Sequence, residues 1–207
     1  MTTDDAIFDA IADERRTLAA TLATLTPEQW QTPSLCAGWT VRDVAAHVTL
    51  PLVVPKWRFG LAMLRARGSF DRANLAMTSH VVSTYGDRLP ETITERAARQ
   101  FTPPGFGAPT PLTDIIVHGQ DIRRPLAIDY RPADGRQCIV LDFLTSPKAH
   151  GHFRAVDADV RWVATDLDWQ HGDGPEVRGP GLSLMLLLTG RLVALGDTSG
   201  PGTDLIR

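Results

Sequence analysis

The chain has 207 residues, 43% hydrophobic and 22% charged, and its 21 basic and 24 acidic residues give a net charge of −3. That length supports one domain, or one plus a small second one, with a core that needs no disulfide scaffold; Cys36 and Cys138 could not supply one. The absent basic excess argues against nucleic-acid partners. The most apolar window, Leu182 to Leu195, falls short of the roughly 20 residues of a membrane span.

The N-terminus, MTTDDAIFDA, has no basic region followed by an apolar one. The expectation is a cytoplasmic protein without a membrane partner. Residues 4–25 read as an amphipathic helix, with Ile7, Ile11, Leu18, Leu22 and Leu25 at helical spacing and charges at 13–16 breaking the stripe. Thr26-Pro27-Glu28 starts a short helix, and 31–39 form a loop. Thr40 caps a second main helix, with Asp43 three residues on, and Pro51 is expected to end that helix near Leu50. Helices follow at 55–67, 71–85 and 90–101, then a Pro/Gly loop at 102–110. Further helices are expected from Pro111 to Arg124 and over 136–145. After residue 150 near-alternating apolar residues suggest strands at 153–158 and 160–168, with a short strand near Glu176–Arg178. An apolar helix at 182–194 and a loose tail complete the chain. The pattern is mainly α: a helical bundle over 1–148 and a small α/β segment over 149–207.

Two of the six histidines lie within apolar helical stretches, His47 beside Val44, Ala45, Ala46 and Val48, and His118 beside Ile115, Ile116 and Val117. A buried imidazole must find partners for both nitrogens. Asp114 lies four residues before His118, one helical turn away on the same face. Such a pair can chelate a metal, with His47 from another helix as third ligand and a position left open. The same spacing also arises when an aspartate orients a histidine or favours a helix N-terminus. Asp43 stands four before His47 as well, but its cap position accounts for it. Asp121 is a candidate partner for His118 behind the ligands, or a surface ion-pair residue. Arg123 and Arg124 could clamp a substrate carboxylate, or sit as solvated cations near a helix end. Cys36, in the loop before the second main helix, reads first as a packing cysteine and second as a thiol near the site; Trp39 reads as a staple before the cap, His80 as unremarkable, His150 and His152 as exposed loop residues, and His171 as a turn residue.

Three stretches together resemble the mycothiol-dependent maleylpyruvate isomerase family of the DinB-like metal-binding four-helix bundle superfamily. They are WQTPSLCAGWTVRDVAAH (30–47), LTDIIVHGQDIRRPL (112–126) and GPEVRGPGLSLMLLLTGR (174–191). The resemblance implies a divalent metal, zinc first and nickel or iron next, held by His47, Asp114 and His118. It implies mycothiol as a thiol cofactor, a small electrophilic substrate, isomerase or S-transferase chemistry, and a homodimer as one possible state. The family pattern carries glutamate where this chain has Asp114, and its C-terminal part is longer. A non-catalytic metal-binding bundle, a sensor or accessory module, is the alternative these departures raise; a structural bundle with satisfied core histidines is the third.

Overall fold

The computed structural model describes residues 3–150, 156 and 158–206. The chain forms two compact units, one of Met1–Thr102 with Asp114–Tyr130 and one of Pro103–Thr113 with Arg131–Arg207. The expected division at 148/149 differs from this one: helix 134–144 and the 103–113 stretch both belong to the second unit.

The first unit holds α1 (Thr3–Leu22), α2 (Pro27–Trp30), α3 (Val41–Val53), α4 (Lys56–Arg65), α5 (Phe70–Tyr85), α6 (Leu89–Glu95) and the larger part of α7 (Pro109–Arg123). Helix α1 packs on α6, and α3 on α5 and α6. Ile7, Ile11, Leu18 and Leu22 of α1 are buried, as their spacing predicts. Of the charges that interrupt this stripe, Asp13 and Arg16 are exposed, whereas Glu14 and Arg15 are buried and each has a partner. Arg15 donates to the carbonyls of Ala97 and Arg99 at 2.8 and 2.7 Å, and Glu14 accepts from the Tyr130 hydroxyl at 2.8 Å.

Thr40 and Asp43 form a reciprocal capping box at the start of α3. Pro51 does not stop this helix, contrary to expectation; α3 continues to Val53. Pro51 sits in the last turn; its missing N–H removes the bond that the His47 carbonyl would accept, and its ring crowds that carbonyl, yet the helix persists. Val54 still donates to Leu50 at 2.9 Å.

The second unit contains α8 (Asp134–Leu144), β1 (Arg161–Ala164), β2 (Gln170–His171), β3 (Glu176–Gly179) and α9 (Gly181–Leu188). The strand order is β2-β1-β3, antiparallel between β1 and β2 and parallel between β1 and β3. The expected strand at 153–158 lies mostly outside the described residues. The apolar run is a buried helix, as expected, but it ends at Leu188, and Gly190 in the left-handed region (φ 82°) turns the chain into a 3-10 helix at Leu192–Asp197. The tail is not loose. Ser199 and Arg178 exchange backbone bonds at 2.8 Å, Pro201–Leu205 form a 3-10 turn, and Ile206 is buried. The mainly α fold with a small C-terminal α/β part is therefore what the structure contains. Among the described residues no helix is long and apolar enough to cross a membrane.

Candidate metal centre

His47 lies midway along α3, and Asp114, His118 and Asp121 lie on successive turns of α7, all within the first unit. Helical spacing brings Asp114 Oδ1 to 3.5 Å from His118 Nε2. His47 Nε2 reaches the same oxygen at 3.9 Å. The two imidazole rings meet edge-on, with centroids 4.8 Å apart. Ligands about 2.0–2.1 Å from a tetrahedral ion lie roughly 3.3 Å from one another. The three donors thus stand near the spacing one ion requires, and their residues are all half-buried.

The far nitrogens are engaged as well. His47 Nδ1 lies 3.1 Å from Asn74 Oδ1 of α5, and His118 Nδ1 lies 2.8 Å from Asp121 Oδ2. Those contacts turn both Nε2 atoms toward Asp114 and fix the ring planes. Asp121 is fully buried and also accepts from the Cys36 thiol at 3.0 Å. The loop 31–39 is tied to α7 through the Leu35 N–H, which donates to the Asp121 carbonyl at 3.1 Å. Its own turn is closed by Ser34, whose hydroxyl donates to the Trp39 carbonyl at 2.8 Å.

Charge is concentrated here. Burial pushes Asp114 up, but the His47 imidazole and the charges of His118, His47 and Arg15 outweigh it and hold its carboxyl at about 2. Burial pushes His118 down, yet the bonds to Asp121 and Cys36 and the charges of Asp114 and Asp121 hold it up at about 10. Without a bound ion His118 is therefore a cation between two carboxylates.

The expected residues are not all gathered in this cluster. His47, Asp114, His118 and Asp121 are brought together. Arg123 is buried with its guanidinium over the Tyr130 ring, 4.1 Å from the centroid, and donates to the Thr21 hydroxyl at 3.3 and 3.4 Å. Those contacts fit neither a carboxylate clamp nor a solvated cation. Arg124 is half-buried. Asp43 is engaged by its cap, its Oδ2 accepting from the Thr40 N–H and hydroxyl at 2.9 and 2.7 Å. Trp39 lies edge-on to His47, centroids 5.3 Å apart, rather than acting only as a staple. His150 is exposed, as expected; His171 is exposed but lies in β2, paired with Trp162, rather than in a turn; His152 lies outside the described residues.

Of two further contributors, Cys36 follows the second of its two expected readings and Asn74 was not expected at all. Cys36 borders the cluster instead of simply packing, its sulfur 3.7 Å from His118 Nδ1. Asn74 had no motif; the one available signal was an amide in a helix interior, where asparagine is a poor helix former.

Residues 11–103 match the model of the Mycothiol maleylpyruvate isomerase N-terminal domain family. The family resemblance carried by 30–47 is thus borne out for this part of the chain, which includes His47 but ends before α7. A solved structure, the mycothiol-dependent maleylpyruvate isomerase, is similar at 16% identity and a TM-score of 0.48, over 92% of each chain. No curated protein sequence matches the chain.

Proposed function

We propose that this protein is a metal-dependent enzyme that uses a small thiol, mycothiol, in isomerase or transferase chemistry on a small electrophile. The observation that carries the reading is the convergence of His47 Nε2, Asp114 Oδ1 and His118 Nε2, with the outer nitrogen of each histidine already engaged. The family match over 11–103 supports the choice of thiol and reaction class.

Two imidazoles and a carboxylate suit zinc first, and accept nickel or iron. A divalent ion on these three residues would stabilise a thiolate, bringing the thiol pKa below its ordinary value of about 8.5. The chain's own residues prepare that site. Asn74 and Asp121 hold the two rings in the plane that aims both Nε2 atoms at Asp114. Trp39 covers one side of His47. Asp114 is one methylene shorter than the family's glutamate, so it would offer the same charge to the ion on a shorter reach.

The test is a cobalt-substituted protein titrated with mycothiol. A sulfur-to-cobalt charge-transfer band is expected, followed by turnover with maleylpyruvate or another member of an electrophile panel. A band without turnover on any electrophile would favour an accessory module. Absence of the band in metal-loaded protein would overturn the thiol reading.

A further inference from the structure

Away from the histidines, α4 and α5 form a hairpin whose turn passes through Arg67 and Gly68, both with positive φ. A groove of about 640 Å³ runs between the two helices. Leu61, Ala62, Ala76 and Met77 form its apolar floor, and Trp57 closes one end. Arg58, Arg65, Arg72 and His80 form its lip, and among the described residues no carboxylate lines it. Residues 56–72 hold five basic residues against one acidic, in a chain whose net charge is −3. Among the described residues no carboxylate forms an ion pair with Arg58, Arg65 or Arg72; Arg58 instead lies over the Trp57 ring and contacts His80 at 3.5 Å. The surrounding surface is apolar, with Trp57 66% and Leu64 77% exposed.

An apolar floor beneath unpaired guanidinium groups is complementary to an anion with an apolar body. A second copy docked about a two-fold axis would set this cationic lip against itself, which costs several kcal/mol. Concavity separates a small molecule from a flat anionic bilayer, since a groove of this volume lies in the range of about 300–1,000 Å³ that small ligands fill.

We propose that the α4–α5 groove is a binding site for a small amphipathic carboxylate, its apolar body on Leu61, Ala62, Ala76 and Met77 and its head held by Arg65 and Arg72. The site is independent of the metal reading.

Dodecanoate below its micellar concentration is the probe, titrated by calorimetry into the full chain. The expected result is saturable binding at one site. Arg65→Gln with Arg72→Gln weakens it by at least about tenfold, and Ala76→Trp, which fills the groove, abolishes it. All three positions are exposed, and circular dichroism melts confirm that each variant stays folded. Three outcomes would overturn the proposal: methyl dodecanoate binding as tightly as the acid, multisite uptake that the substitutions leave unchanged, or binding to anionic phosphatidylglycerol vesicles with none to free dodecanoate.

Discussion

The candidate metal centre and the α4–α5 groove are both charged, and they hold their charge in opposite ways. At the centre every polar group leans on another: Cys36 on Asp121, Asp121 on His118, Asn74 on His47, and both histidines on Asp114. At the groove the guanidinium groups of Arg65 and Arg72 stand in solvent without an ionic partner among the described residues. The first arrangement is pre-organised and fails when one member is removed. The second is held only by the helices beneath it, so its residues change independently.

The largest effect that would sharpen this contrast is at the ligands. His47→Ala or His118→Ala should each lower zinc affinity by more than about 100-fold, measured by competition with a chromophoric chelator. Asn74→Ala and Asp121→Ala remove no ligand, yet each should lower affinity about 10- to 100-fold by freeing a ring. An unchanged affinity would dissolve the idea of a mutually supported centre.

Arg123→Ala separates support of the fold from support of the site. It should cost about 3 kcal/mol in urea denaturation, because a buried cation with defined partners is removed, and leave zinc affinity alone.

A pH effect follows from His118, held at about 10 in the metal-free protein. Its raised value means stability that is fully present below the unfolded value of about 6.5 and lost as pH rises through about 10. Urea midpoints of metal-free protein should therefore fall on that limb, and His118→Gln should flatten it. Asp114, held at about 2, acts with the opposite sign: its contribution is present above the ordinary carboxylate range and lost as pH falls toward 2. Zinc must displace the His118 proton, so binding at neutral pH should release about one proton, read from calorimetry in buffers of different ionisation enthalpy. The smallest effect belongs to the groove. Arg65→Gln should leave zinc affinity unchanged and shift stability by no more than about 0.5 kcal/mol.

What the sequence disclosed and what it hid divides along the same line. Asp114, His118 and Asp121 share one helix, so their meeting follows from a period of 3.6 residues. His47 was legible as an imidazole in an apolar stretch. Asn74 and Cys36 reach the centre only because α5 and the 31–39 loop fold against it, and no local spacing encodes that. Pro51 misled because its penalty, one lost bond and crowding at the residue 47 carbonyl, does not by itself end a helix, and α3 continues to Val53 with Val54 still bonded to Leu50. The C-terminal tail looked loose from its glycines and proline, but Gly202, whose missing Cβ leaves room beside the Pro175 carbonyl, lets the chain come close enough to bury Ile206.

The most direct test of the central claim is metal content by inductively coupled plasma mass spectrometry on the wild-type protein, His47→Ala and His118→Ala. The account predicts about one equivalent of zinc, nickel or iron in wild type and its loss from both variants. A wild-type protein that stays metal-free after reconstitution with excess zinc would contradict it, and would leave a structural bundle with satisfied core histidines.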